Sequence, residues 1–173
     1  MIEIIEHNQI IMKGRAILEA TIPGTRKFEN GIMTDPGIVV KRIENHNIIC
    51  NEGLLLLAGF YVDESATYDT GATYCEIGTG STAPAAGDTA LTTYHGRKAI
   101  TSITRSNYVC TAATFFTAAE ATAVIAEAGI WGGGDAAAGE ATGLLFSHFL
   151  ASYDNSAGTF DITISHVLTI ARG

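Results

Sequence analysis

The stretch TFDITISHVLTIA, residues 159–171, alternates with a period of two. Phe160, Ile162, Ile164, His166, Leu168 and Ile170 share one face, and Asp161, Thr163, Ser165, Val167 and Thr169 share the other. Successive strand side chains point to opposite faces, whereas a helix repeats its apolar positions every three or four residues. With its many β-branched residues, this stretch is a half-buried strand. The turn cluster SYDNSAGT precedes it, and GLLFSHFLA before that reads as its hairpin partner.

Similar signals recur upstream. IEIIE, IIMKGRAILEA, GIVVKRIE, ATYCEIG, KAITSITRS and YVCTAATFFT all read as strands, the last two joined as a hairpin at Ser106-Asn107. AEATAVIAEAGIW has helix-like Ala and Glu, but Val124, Ala126, Ala128 and Ile130 alternate and Gly129 suits a helix interior poorly, which favours strand. One helix is expected, over NEGLLLLAGFYV, capped by Asn51 or Asn47 and carrying Glu52 at its positive end. Being apolar nearly all round, it should be covered on most sides as a plug for the open end or one face of the fold. The fold class is therefore mainly β: an antiparallel, jelly-roll-like β-sandwich with one short buried helix. Residues 47–173 form the sandwich body. Residues 1–46, with N-terminal strands and a turn-rich loop over 23–37, form an assembly arm packed on it. A second loop, over 132–143, has no side chain large enough to build a core and is expected to be mobile.

Only 16% of the 173 residues are charged, against roughly 25% in an average soluble domain. Either other protein covers part of the surface, or Ala, Gly, Ser and Thr stand in for charge. A net charge of -8 opposes a nucleic-acid partner, since phosphate binding needs a clustered positive face. Residues 1–60 are near neutral and residues 61–173 acidic, which would let like subunits meet head to tail. Cys50, Cys75 and Cys110 are odd in number and widely spaced, as buried free thiols in a reducing compartment are. The acids of MIEIIEHNQIIMKG do not fit a signal peptide, and GLLLLAGFYV is about half a membrane span, so a soluble chain with no membrane partner is expected.

The glycine-rich stretch YCEIGTGSTAPAAGDTAL, residues 74–91, is the first candidate for chemistry. A phosphate-binding loop needs G-x-x-x-x-G-K-[ST] and a following helix, but Gly80 leads into Ser-Thr-Ala-Pro and no lysine lies between Lys41 and Lys98. Gly78 and Gly80 instead supply positive φ or close backbone approach, and Pro84 stiffens the exit. There is no G-x-S-x-G, and His7, His46, His95, His148 and His166 have no zinc-site spacing; His148 and His166, on strands expected to pair, are the one conceivable metal pair. Glu76, Glu120 and Glu127 could supply a glycosidase's two carboxylates. The competing reading makes Glu127 a structural anchor that accepts backbone N–H bonds or pairs with Arg97. No catalytic, cofactor-binding or metal residues are assigned, and no cofactor is expected.

In order along the chain, NIICNEGLLLLAG, YCEIGTGSTAPAAGDTAL, EAGIWG and GLLFSHF before an alternating final strand resemble a family of tailed-bacteriophage virion proteins, tail-fibre or baseplate-associated. The likeness spans roughly residues 47–170 and rests chiefly on G-T-G-S-T-A-P followed by D-T-x-L. TTYHGR, with Tyr94 and His95 ahead of Arg97, and His166 in the final strand depart from the family pattern. The resemblance implies a β-rich structural module of the virion without catalytic residues, assembling with copies of itself and with neighbouring virion proteins. Capsid decoration is the alternative within that class. A host-glycan-binding module with Tyr side chains and Trp131 at loop tips is the alternative outside it, and a glycan depolymerase using Glu120 or Glu127 ranks last.

Overall fold

The computed structural model describes residues 10–62, 68, 70–140 and 142–172. The expected strand IEIIE lies outside them. Twelve strands and one helix follow in chain order: β1 (Ile10–Thr21), β2 (Arg26–Glu29), β3 (Ile32–Pro36), β4 (Val39–His46), β5 (Ile48–Ile49), α1 (Asn51–Tyr61), β6 (Ala72–Gly78), β7 (Tyr94–Ala99), β8 (Ser102–Ser106), β9 (Val109–Phe116), β10 (Val124–Gly132), β11 (Leu144–Asp154) and β12 (Asp161–Arg172). They form a β-sandwich of two five-stranded antiparallel sheets, ordered β4-β1-β12-β9-β8 and β5-β11-β10-β6-β7, with β2-β3 as a separate hairpin. The core lies between the sheets, where Leu18, Phe116, Ile162 and Ile164 of the first meet Ile77, Ile130 and Phe149 of the second.

The apolar face of residues 159–171 is buried at Ile162, Ile164, His166 and Leu168, but the strand is not half-buried: Asp161, Thr163 and Val167 of the opposite face are buried as well. The pairing expected from it does not hold. β12 is flanked by β1, in register from Ile10↔Arg172 to Thr21↔Asp161, and by β9. Its supposed partner β11 lies in the other sheet. With both edges of β12 occupied, the SYDNSAGT turn carries the chain between sheets. Asn155 shapes that turn: its Nδ2 donates to the carbonyls of Ala121 and Phe160, and its Oδ1 accepts from the Phe160 amide. KAITSITRS divides in the same way. The Ile100 amide donates to Thr73 and the Thr101 amide to Ala113, handing the chain from β7 in one sheet to β8 in the other. The β8-β9 hairpin forms as expected, with Asn107 at φ 51° in its turn.

Residues 23–37 are a small hairpin rather than a loop. Asn30 and Gly31 turn it at φ 50° and 75°, and Phe28 packs on Phe115 with ring centroids 5.8 Å apart. The Arg26 guanidinium ties it down, donating to Glu19 and to the Pro36 carbonyl. β1 and β4 are two of the five strands of the first sheet, so residues 10–21 and 39–46 belong to its fabric rather than to an arm packed on it. AEATAVIAEAGIW is strand from Val124 onward.

Helix α1 is covered more narrowly than its composition predicts. Only Gly53, Leu56 and Gly59 are buried, three residues apart along one stripe. Gly53 is needed there, because a Cβ would stand 2.3 Å from the Phe146 carbonyl of β11. Leu54, Leu55, Phe60, Tyr61 and Val62 remain exposed. The N-cap is Cys50, without a side-chain cap bond, and Glu52 turns away to accept the Leu145 amide.

Candidate functional site

The second sheet has two buried faces. One looks into the core; the other carries Glu76, Glu127, Gly129, Trp131 and His148 and lies under the chain between β6 and β7, residues 79–93. Gly78 and Gly80 lie at the start of that strap, and neither has positive φ. Close approach is what requires them. A Cβ on Gly80 would stand 2.4 Å from Glu127 Oε1, and one on Gly78 would stand 2.5 Å from the Thr93 carbonyl. Gly129 leaves room for Leu91, which the strap lays on the sheet.

The space so gained holds an anion. Glu127 is fully buried and accepts from the amides of Gly80 (3.0 Å), Thr92 (3.0 Å) and Thr93 (2.8 Å). Glycine-rich turns favour anions because several backbone N–H groups converge on one point. Here the anion is the protein's own carboxylate, and the strap folds round it.

His148 completes the arrangement. Its Nε2 lies 3.0 Å from Glu127 Oε2 and its Nδ1 2.7 Å from Asp88 Oδ2, so each ring nitrogen faces a carboxylate oxygen. Asp88 belongs to the strap, so a sheet histidine clamps the strap at a second point. Burial pushes the Asp88 carboxyl upward, but the Ala85 amide and the His148 ring outweigh it and hold it below its usual range. Beside them, burial raises the Cys50 thiol to about 12, helped by the Asp88 and Glu52 carboxylates, which leaves it a poor nucleophile at neutral pH.

Arg97 serves Glu76 rather than Glu127. Its Nη1 donates to Glu76 Oε1 at 2.7 Å and its Nη2 to the Thr142 carbonyl at 2.7 Å. The guanidinium lies over the rings of Tyr74 (4.8 Å) and Trp131 (5.0 Å). Cation–π contact suits a desolvated guanidinium, since the ring faces carry negative potential. The 132–143 loop thereby contributes a backbone carbonyl to a buried ion pair. Trp131 is fully buried in this stack and is not at a loop tip. Glu120, in contrast, is exposed, bonded to Lys98 Nζ and to the Thr117 amide. The three candidate carboxylates thus have separate partners, with Glu76 and Glu127 on one face of the second sheet.

The two strand histidines are not paired either, because β11 and β12 lie in opposite sheets. His166 is buried, with Asn47 Nδ2 2.6 Å from its Nε2 and Phe146 edge-on at 5.8 Å. Burial lowers its pKa to about 4. Of the other histidines, His46 is exposed, His95 half-buried, and His7 outside the described residues. Among the described residues, no group of three or more His, Cys, Asp or Glu side chains could hold a metal ion, and no helix is long and apolar enough to cross a membrane.

His166 also lines a feature the sequence did not announce, an apolar cleft of about 480 Å³ where the two sheets part. Ile103, Cys110 and Leu168 of the first sheet form one wall, and Leu56, Phe60 and Phe146 the other. No protein-family model, curated protein or solved structure matches this chain.

Proposed function

We propose that the chain is a non-enzymatic structural subunit of a tailed-phage virion, present in several copies at the tail, baseplate or fibre attachment. The observation that carries this reading is the fate of the resemblance motif. Gly78, Gly80, Asp88, Leu91, Glu127 and Trp131 all build the strap or the face beneath it. The residues that looked most like chemistry are those that hold a loop to a sheet. Glu127 has its oxygens committed to three amides and a histidine, which suits an anchor better than a general acid or base.

Surface character supports assembly. Tyr61, Val62, Ile103 and Tyr108 are each more than 60% exposed, and Leu55 and Phe60 more than half. Such a collection of exposed apolar groups favours contact with other protein. The glycan-binding alternative loses Trp131, which is enclosed with Arg97 against one of its faces, and would have to rest on exposed tyrosines such as Tyr61 and Tyr108.

Cryo-electron microscopy of purified particles from the encoding phage is the test. Density for this β-sandwich repeated around the tail axis is the expected result, and density on the capsid lattice would move the subunit to a decorating role. A particle preparation whose mass spectrum lacks the chain would overturn both. Enzymatic depolymerase activity abolished by Glu127→Gln or Glu120→Gln in a folded protein would overturn the non-enzymatic assignment.

A further inference from the structure

The first sheet ends on β8, which pairs with β9 from Ser102↔Ala113 to Ser106↔Val109 and has no strand on its other side among the described residues. Exposed edges of this kind are templates for another chain unless blunted by charge, proline or a bulge. β8 is only lightly protected. Arg105 is charged, but Ile103 is 62% exposed and Tyr108, just beyond the strand, 75%.

This edge is also one lip of the apolar cleft, and residues 70–73 form part of the other. An extended segment laid along β8 would bond to its free backbone groups and drop alternate side chains into the gap between the sheets. That is the geometry of strand addition, with backbone bonds giving affinity and pockets for alternate residues giving selectivity.

We propose that the β8 edge and its cleft accept residues 1–9, MIEIIEHNQ, of a second copy of this chain. The inference rests on the assembly reading above and supplies its contact. Three observations select this occupant. First, Ile2 and Ile4 alternate as the cleft requires, and Glu6 follows them on the same face. Second, the acceptor has matching charge. The wall carrying Ile103 continues to Arg105, and the strand face carrying His166 and Leu168 continues to Arg172; both arginines are exposed. Glu3 and Glu6 are the acids of the incoming segment. Third, the position of Ile10 favours a neighbour over the same subunit. Ile10 pairs with Arg172 at the end of the first sheet, three strand positions from β8. Returning to β8 of the same chain would need a full reversal at Asn8 and a crossing of three strand positions, whereas a neighbouring copy can be met without one. Extended, nine residues span about 30 Å, enough to reach an adjacent subunit.

The contact is heterologous, joining a donor end to an acceptor edge, so copies form a ring or a chain. Sedimentation velocity on the full-length protein tests it through complementation. The wild type should self-associate. An acceptor variant, Ile103→Arg, and a donor variant, Ile2→Asp with Ile4→Asp, should each associate at least tenfold more weakly. An equimolar mixture of the two should form a heterodimer, because each retains the half the other lacks. The charge pair gives a second route if Ile103→Arg fails to fold: Arg105→Glu should weaken association, and Glu6→Arg in the same chain should restore it. A monomeric wild type, variants that associate as the wild type does, or a mixture without heterodimer would each overturn the inference. Its failure is separable from that of the assembly reading, because a protein found in particles but monomeric in solution removes only the strand contact. A self-associating protein absent from particles removes only the virion assignment.

Discussion

Replacing Glu127 by alanine leaves the amides of Gly80, Thr92 and Thr93 and the His148 ring without their acceptor. Stranding one buried polar group costs about 1–3 kcal/mol, and this change strands several at once. Glu127→Ala is therefore expected to remove much of the roughly 5–15 kcal/mol that holds a domain folded, seen as a large drop in the urea midpoint. Gly80→Ala should cost about 1–3 kcal/mol, because the new methyl meets both Glu127 and Thr92. Gly87, in the same strap, faces open space, so Gly87→Ala should stay within about 1 kcal/mol of the parent. Equal effects at the two glycines would contradict the account of the strap. At this scale the sequence announced that Glu127 needed a partner and that Gly78 and Gly80 served either positive φ or close backbone approach, of which the second is the one used. It did not connect the two, because 47 residues separate Gly80 from Glu127 and nothing local encodes that meeting.

At the scale of elements, local pattern told which residues are strands and which face each shows, but not which strands are neighbours. Alternation in β11 and β12 is satisfied equally by one sheet or two, and the structure uses two. The β8-β9 hairpin was legible because its turn is short and contains Asn107. Helix α1 shows the same limit from the other side. Leu54–Leu57 look alike in sequence, yet Leu56 is 2% exposed, whereas Leu54 and Leu55 are 44% and 53% exposed. Leu56→Ala should cost about 2–5 kcal/mol by opening a cavity, while Leu55→Gln should change stability by less than about 0.5 kcal/mol. Thermal denaturation of both variants checks the assignment of the buried stripe. Composition predicted that the helix be covered on most sides; among the described residues, one stripe of it is buried.

For the whole molecule, acid should be destabilising before the carboxylates titrate. His166 titrates near 4 in the folded state, against about 6.5 in an unfolded chain. The unfolded state therefore takes up the proton first. Stability is complete above pH 6.5, declines as pH falls toward 4, and is not lost further by this group below that. The full effect is about 3 kcal/mol on the scale of 1.36 kcal/mol per pKa unit. Glu19 and Asp88, both held below their usual range, add their losses only at lower pH. Urea midpoints measured between pH 7 and 5 should fall for the wild type and slope less for His166→Gln.

The register Ile10↔Arg172 sets a schedule for biosynthesis. β1 leaves the ribosome well before its full-length partner β12; Thr21 and Asp161, at their paired ends, are 140 residues apart. At roughly 5–20 residues per second, β1 waits about 7–30 s for that partner. The first sheet can close only once β12 has been made, so a chain stopped before residue 161 keeps β1 and β9 but lacks the strand that joins them. Until then, the edge of β1 that β12 will take is unpaired, while β4 already occupies the other.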